Sequence, residues 1–388
     1  KGPSWGVIVL AYGAFLGVGV FGGSLGVAWP SMRATFGLDV DALGLLLVVG
    51  MIGQVGISGA NGRLLQLSNM PTLLLIGLSL RLVGYMGQTV SPSWLLMIAG
   101  AAIVGVGSGI VNAGLNTFAA ARFRPRLLNW MHASFAVGTM TGSSMMTFLL
   151  WQELSWRVGI LVVVVIHMLL VGFMWWTRDE WRLADAAEIE GGTTLIHEGS
   201  RATLALPMVW LSMVSFFLYT GLEWGVGHWV FTVGVEGRGA AETVAGLWTT
   251  LFWGSLMMGR IVLGFIEVNP ARLVRWVLVL AIIGIVLFAL NLGNGLNFIS
   301  LVFVGFGLAS IFPSLIALTP RRVGKQHAAN AIGFQIAAGG IGASLWPAVI
   351  GWVANQFGVP MIMGVWLGLA VLLLGLQIVM SRKREVLI

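Results

Sequence analysis

The chain has 388 residues, of which 58% are hydrophobic and only 9% are charged. Soluble domains have roughly 45–50% apolar and about 25% charged residues, so this composition predicts a polytopic membrane protein. The absence of cysteine excludes disulfides, thiolate metal sites and cysteine catalysis, and the net charge of +7 is interpreted as a signal of membrane topology rather than of nucleic-acid binding.

Twelve apolar segments are long enough to cross a bilayer, which takes about 20 residues. The first is too long for the core of a signal peptide, so we expect it to remain as a span. The sequence therefore predicts an all-α membrane protein with twelve transmembrane helices. The predicted spans are residues 5–31, 41–62, 72–90, 93–121, 127–150, 155–176, 205–234, 242–266, 272–291, 296–319, 328–354 and 359–380.

One long polar stretch divides the chain after the sixth span. It predicts an N-terminal six-helix half at residues 1–176, a cytoplasmic linker at 177–204 and a C-terminal six-helix half at 205–388. The linker is expected to be solvated and to carry no chemistry.

The two predicted halves repeat one another. Residues 104–145 align with residues 304–345 without a gap, at an offset of 200. The repeat and the position of the linker both indicate two related six-helix halves with pseudo-symmetry. The residues that coincide are Gly105 and Gly305, Gly107 and Gly307, Leu115 and Leu315, Arg122 and Arg322, Gly142 and Gly342, and Ser144 and Ser344.

The basic residues are concentrated on one predicted side of the membrane. Of the 21 Lys and Arg residues, 17 are assigned to the tails and to the loops that follow even-numbered spans, and Arg260 is one of these. Arg33, Arg157 and Arg238 are on the other side, and Arg81 is the one cation placed deep within a span. The positive-inside rule then predicts a multi-pass protein of the cell (inner) membrane with both termini in the cytoplasm.

Four segments, together with the predicted architecture, carry a family resemblance. They are "LLNWMHASFAVG" (127–138), "YTGLEWGVGHWV" (219–230), "GFGLASIFPSLIALTPRRVG" (305–324) and "GFQIAAGGIGASLWPAVIGW" (333–352). The chain resembles the major facilitator superfamily, and within it the fucose-permease-like sugar branch. The resemblance implies a secondary transporter with a central cavity, which works by rocking of its two halves.

Two departures from the family pattern limit what the resemblance implies. The superfamily's charged loop, G-x-x-x-D-R-x-G-R, is reduced at residues 59–71 to "GANGRLLQLSNMP", which has no Asp. Proton symporters of the fucose-permease type carry a carboxylate in the first span, whereas residues 7–32 contain none. Neither the gating salt bridge nor proton coupling therefore follows from the resemblance.

Glu223 is the acidic residue that lies deep within a predicted span. A charge at a helix centre costs at least about 2.5–3.5 kcal/mol on insertion scales, so a functional role is expected. A carboxyl group exposed alternately to two compartments can carry a proton, accept hydrogen bonds from a substrate, or do both. The structural alternative is a protonated strut, bonded to a neighbouring helix or to Tyr219 one turn earlier.

The predicted solute site combines flat aromatic surfaces with hydroxyl-binding amides, which suits a sugar. The aromatic candidates are Tyr219, Trp224, Trp229, Trp248, Trp253 and Trp346. The polar candidates are Gln54, Asn112, Asn116, Gln335 and His132, with Glu223. The structural alternatives are interfacial anchoring for the Trp residues and helix packing for His132, His167 and His228.

The sequence predicts transport of a small neutral sugar-like solute, coupled to protons through Glu223. It has no phosphate-binding loop, metal-spaced cluster or activated serine, so no enzyme activity, cofactor or metal is expected. The expected partners are the solute, protons and the lipid bilayer, with no nucleic acid and a monomeric state. The alternatives are a proton-driven exporter of drugs or amphipathic compounds, favoured by the Trp and Met content, and a non-transporting sensor with the same fold.

Overall fold

The computed structural model describes residues 4–58, 68–123, 125–190, 199–263, 265 and 268–382. Lys1, Arg63, Arg124, Lys383 and Arg384, which entered the topology prediction, lie outside the described residues, as does most of the loop at 59–71. The chain divides into two compact units, Lys1–Thr194 and Leu195–Ile388, and each unit is described by itself.

The first unit has one helix for each of the first six predicted spans. Side-chain caps explain several of the starts: Ser4, Asn69 and Ser93 each accept a hydrogen bond from a backbone N–H in the first turn. The first helix ends at Gly37, whose φ of 66° is in the left-handed region. The helices are α1 (Trp5–Phe36), α2 (Ala42–Ser58), α3 (Met70–Val90), α4 (Trp94–Arg122), α5 (Pro125–Trp151) and α6 (Trp156–Glu190).

The sixth helix continues well past the predicted end of its span. It runs to Glu190, so the first part of the predicted linker at 177–204 is helical. A short helix, α7 (Ser200–Leu204), precedes the spans of the second unit. Residues 191–198 lie outside the described residues.

The second unit also follows the predicted spans, with one interruption. Its helices are α8 (Pro207–Arg238), α9 (Glu242–Leu263), α10 (Pro270–Leu290), α11 (Asn294–Ala309), α12 (Ile311–Val323), α13 (Lys325–Phe357) and α14 (Met361–Arg382). The span predicted as continuous at 296–319 is two successive helices that meet at Ser310. Pro313 lies three residues beyond and has no N–H to donate to the carbonyl of Ala309, four residues earlier, which explains a break at this point.

Most of these helices satisfy the physical requirements of a membrane span. Among the described residues, nine helical segments are long and apolar enough to cross a bilayer, and α2 is a shorter apolar helix. The segment 294–323 counts as one of the nine despite its break. The structure is therefore an all-α, multi-pass membrane fold.

The helices pair in the same order within each unit. In the first, α1 packs along α5, α4 packs on α2 and α3, and α6 packs on α1 and α3. In the second, α8 packs along α13, α11 packs on α9 and α10, and α14 packs on α8 and α10. The main helix pairings of one unit are thus repeated in the other.

Glycines repeated at the offset of 200 lie at equivalent crossings. A Cβ atom added to Gly142 would be 2.0 Å from the Val20 carbonyl oxygen, and one added to Gly342 would be 2.2 Å from that of Phe217. Such distances require glycine, because no larger residue allows the backbones to approach so closely. The sequence repeat is thus a repeat of helix contacts.

Candidate functional site

Helix α8 is buried along nearly its whole C-terminal half. Every residue from 218 to 234 is buried except Trp224, which is partly exposed. Glu223, the carboxylate singled out in the sequence, is only 4% exposed. The helix therefore carries an ionisable group within the protein interior and offers one aromatic ring to the surroundings beside it.

The carboxylate of Glu223 is paired with a guanidinium. Arg260 on α9 donates from Nη2 to Oε1 of Glu223 at 3.0 Å. The same Nη2 is 3.5 Å from the hydroxyl oxygen of Tyr219, one turn before Glu223 on α8. Because an isolated charge inside a protein is costly, the pair accounts for how a carboxylate is tolerated here.

The assignment of Arg260 to a cytoplasmic loop is wrong. Arg260 lies within α9 and its side chain is only 17% exposed in the pair with Glu223. Arg81 is consequently not the one cation inside a span. The sequence did indicate the inward position of Arg260. This residue falls inside the predicted span 242–266, and it follows Trp253 by seven residues, which places both side chains on the same face of a helix.

Arg260 also contacts the break between α11 and α12. Its Nε donates to the carbonyl oxygen of Ala309 at 3.3 Å. That carbonyl cannot take its usual bond from residue 313, which is proline. Arg260 therefore satisfies the acceptor that Pro313 leaves open, and it connects the acidic residue of α8 to the interrupted span.

An aromatic cluster surrounds the partly exposed ring of Trp224. The ring centroids of His228 and Trp253 lie 5.2 and 5.7 Å from that of Trp224. Gly227 makes room for Trp253, since a Cβ at this position would be 2.2 Å from the indole ring. The Nδ1 atom of His228 and the Nε1 atom of Trp253 are buried without a hydrogen-bond partner. We call Trp224, His228 and Trp253 the indole cluster.

Two further aromatic candidates have structural contacts. Trp229 is fully buried and donates from Nε1 to the carbonyl of Pro347 at 2.9 Å, so it links α8 to α13. Trp248 is also buried and packs edge-on against Phe288, 5.5 Å away. Both side chains are therefore held by protein contacts in this conformation, and their role beside a solute stays a prediction.

The predicted candidates on α13 have different environments. Trp346 packs against Gly221 on α8, and its buried Nε1 has no hydrogen-bond partner. Gln335 is 1% exposed and accepts a hydrogen bond from the Thr319 hydroxyl at 3.0 Å. The side-chain oxygen of Gln335 thus already joins α13 to α12.

The remaining predicted ligands belong to the first unit. Asn116 on α4 donates from Nδ2 to the backbone carbonyl of Asn112 at 2.8 Å, one turn earlier. His132 on α5 meets the ring of Phe15 edge-on at 5.3 Å. Gln54 on α2 is partly buried where this helix crosses α4. The role of all four as solute ligands stays a prediction.

The site in the second unit combines a buried carboxylate, its guanidinium partner on α9 and the indole cluster. Protonation of Glu223 would remove the charge that holds Arg260, and the unpartnered nitrogen atoms of the indole cluster can bond to hydroxyl groups. Among the described residues, no group of three or more His, Cys, Asp or Glu side chains could hold a metal ion.

Comparison with known proteins identifies relatives along nearly the whole chain. The family model described as Major Facilitator Superfamily matches residues 10–347. The glucose/mannose transporter GlcP of Bacillus subtilis (strain 168) is 20% identical over 389 residues, which cover 98% of this chain and 96% of GlcP. Bypass of stop codon protein 6 of Saccharomyces cerevisiae is 22% identical over 372 residues, which cover 87% of this chain and 74% of that protein.

Solved structures share the same fold. The crystal structure of the nucleoside transporter NupG has a TM-score of 0.77 at 15% identity, covering 98% of this chain and 99% of NupG. The crystal structure of a peptide transporter POT in complex with sulfate has a TM-score of 0.69 at 12% identity, covering 97% and 95% of the two chains.

Proposed function

The chain belongs to the major facilitator superfamily, and from this premise we propose that it carries a small neutral sugar-like solute across the membrane by alternating access. The family consists of transporters, not enzymes. The similarity to a glucose/mannose transporter supports a sugar. The fold shared with a nucleoside transporter is compatible with this choice, because a nucleoside contains a sugar.

The observation that carries the proposal is the indole cluster beside Glu223. Trp224 is the partly exposed residue in an otherwise buried stretch, so its ring can contact a solute. Behind it, His228 and Trp253 each have a buried nitrogen atom without a partner. A sugar has apolar C–H faces that pack on an indole ring such as that of Trp224. Its hydroxyl groups can bond to the nitrogen atoms of His228 and Trp253 once the cluster opens, since both side chains are buried in this conformation.

We propose that Glu223 couples proton movement to this solute. While Glu223 is ionised, it holds Arg260 at 3.0 Å. Protonation removes that attraction and leaves Arg260 attached to the carbonyl of Ala309, at the break in the tenth span. A solute hydroxyl could then accept the bond that Glu223 gives up, so proton and solute would favour the same state.

Orientation and assembly are part of the same proposal. The positive-inside distribution supports both termini in the cytoplasm of a cell whose inner membrane holds the protein. Residues 1–176 and 205–388 would be the two related halves, joined by a cytoplasmic linker at 177–204. We propose that the protein works as a monomer.

The test is sugar-driven proton movement in liposomes that contain a trapped pH dye. Addition of hexoses, pentoses or nucleosides should cause proton influx with the wild type, and Glu223→Gln should abolish it. Glu236→Gln is the matched control, because this glutamate is on the same helix but exposed. Solute exchange without proton movement in the wild type would reject coupling and retain transport.

A proton-driven exporter of lipophilic cations is the second candidate. The observation in its favour is that indole faces beside a carboxylate also bind planar cations. Efflux of ethidium from loaded vesicles under a proton gradient, with no response to any sugar or nucleoside, would replace the sugar proposal with this one. If the protein binds a solute but moves none across the membrane, a non-transporting sensor would be favoured.

A further inference from the structure

Helix α10 has one face that is exposed along most of its length. The large exposed side chains recur every three or four residues, which places them on a single stripe of the helix surface. All of them are apolar, as expected of a surface that contacts lipid. We call them the α10 stripe, and they are Trp276, Val279, Ile283, Val286 and Leu290.

Two arginines lie at the start of the α10 stripe. Arg272 is exposed and precedes Trp276 by four residues, so both side chains are on the same face of the helix. Arg275 is half-buried beside them, and its Nη1 atom is 3.5 Å from the hydroxyl oxygen of Ser381 on α14. An exposed tryptophan at the end of a span is typical of the membrane–water interface. The surface of α10 therefore changes from basic to apolar at the depth where lipid headgroups are expected.

No described carboxylate neutralises this pair of arginines. Besides Glu223 in its buried ion pair, the acidic residues that the structure describes in the second unit are Glu236 and Glu242. Both lie near the start of α9, whereas α10 begins beyond the end of α9, a helix about 33 Å long. Within the described part of this unit, the charge at the start of α10 is therefore unbalanced. The acidic residues of the unit outside the described part are Glu198, Glu267 and Glu385.

The internal repeat indicates that the helix itself does not need these arginines. Asn69 and Asn269 are related by the offset of 200, and each caps its helix by accepting a hydrogen bond from a backbone N–H. In α3, the positions that correspond to the two arginines hold Thr72 and Leu75, which have no charge. Cations in the first turns also oppose the helix dipole. The arginines of α10 thus require an explanation other than helix formation.

We propose that the start of the α10 stripe binds an anionic phospholipid, with its phosphate beside Arg272 and Arg275 and its acyl chains along Val279 and Ile283. Guanidinium groups form strong charge-assisted hydrogen bonds with phosphate oxygens. Basic groups beside a membrane attract anionic headgroups. The positive-inside rule explains the side of the membrane on which the arginines lie, and lipid binding explains their position on a lipid-facing stripe. The site does not depend on the identity of the transported solute.

The test is competition between two lipids for the purified full chain in detergent. Phosphatidylglycerol and phosphatidylcholine with the same acyl chains are added in equal amounts after delipidation, and native mass spectrometry counts the lipid that each protein molecule retains. The wild type should prefer phosphatidylglycerol. Each arginine should contribute about fivefold to this preference, the usual contribution of one basic residue near an anionic membrane surface.

Variants locate the preference. The double variant Arg272→Gln/Arg275→Gln should lose most of it, and Arg272→Gln alone should lower it about fivefold. The single variant keeps the contact of Arg275 with Ser381, so it provides the comparison if the double variant does not fold. Arg201→Gln/Arg321→Gln is the matched control. It removes two exposed charges from α7 and α12, whose described residues include no large exposed apolar side chain.

Three outcomes would overturn the proposal. The first is a wild type without a preference for phosphatidylglycerol, or one whose preference survives in the α10 variants. The second is an equal loss in the control, because the lipid would then respond only to net charge. The third is a preference that inorganic phosphate removes at constant ionic strength, because the arginines would then bind a soluble anion rather than a lipid.

Discussion

Nη2 of Arg260 on α9 lies 3.0 Å from Oε1 of Glu223 on α8, so a cation from one span neutralises the carboxylate of the preceding span. The pair is largely buried, with 17% of the Arg260 side chain and 5% of the Glu223 side chain exposed. Charge neutralisation makes Glu223 tolerable in the membrane. Protonation of Glu223 would therefore leave Arg260 without a counter-charge, held only by its contacts with Ala309 and Tyr219.

Removal of one member of this pair should destabilise the protein more than removal of both. Breaking a buried pair typically costs about 3–5 kcal/mol, because it leaves an uncompensated charge. We expect Glu223→Gln and Arg260→Gln each to lower the unfolding temperature in detergent. The double variant should recover part of that loss. Additive losses in the double variant would show that the pair contributes nothing beyond its separate side chains.

The sequence was sufficient to find the carboxylate but not its partner. Counting apolar residues predicts the spans, and an acid inside such a run is conspicuous, as Glu223 is. A basic residue near a span end normally marks topology, so the sequence alone predicts a loop position for Arg260. Whether it turns inward depends on the carbonyl of Ala309 and on Glu223, both on other helices, and hydropathy carries no information about contacts between helices.

The tryptophans show a similar limit of sequence reasoning. Trp224 and Trp229 lie five residues apart on the same helix, and composition treats them alike. The structure buries Trp229 against the carbonyl of Pro347 and leaves Trp224 partly exposed. The difference arises from the rotation of α8 against α13, which only the packed helices define.

Arg260→Lys should distinguish the contribution of the ion pair with Glu223 from that of the hydrogen bond to the Ala309 carbonyl. A lysine retains the positive charge for Glu223 but is a single point donor, without the planar fork that also reaches Ala309. We expect most of the stability to be retained and the rate of solute transport to fall severalfold, if the contact with the break in the tenth span serves transport. Solute uptake into liposomes and the unfolding temperature are the two measurements. A wild-type rate in Arg260→Lys would remove Ala309 from the mechanism.

Two Trp→Phe substitutions should distinguish a tryptophan that stabilises the fold from one that binds the solute. Trp229→Phe removes a buried bond to the Pro347 carbonyl and should cost about 1 kcal/mol of stability, the usual net value of one such bond, plus the packing lost with the larger ring. Trp253→Phe removes a nitrogen atom that has no protein partner, so it should cost less stability than Trp229→Phe, through packing alone, while the KM for the solute rises. Trp276→Phe, at an exposed position on α10, is the control for both. If Trp253→Phe leaves KM unchanged, the indole cluster does not bind the solute.

The repeated glycines give a prediction about the helix contacts themselves. Gly142→Ala and Gly342→Ala would each place a Cβ atom within 2.2 Å of a carbonyl oxygen on the facing helix, at 2.0 and 2.2 Å respectively. The helices would have to separate, and such overpacking typically costs about 1–3 kcal/mol. Gly172→Ala is the matched control, since nothing lies within 4 Å of a Cβ at this position. That variant should be neutral or more stable, because alanine favours a helix over glycine by roughly 0.5–1 kcal/mol.

The measurement is the unfolding temperature of each variant. If it falls for both Gly142→Ala and Gly342→Ala and not for the control, the two crossings contribute to stability in the same way. A neutral effect at either position would mean that the helices can separate there without loss.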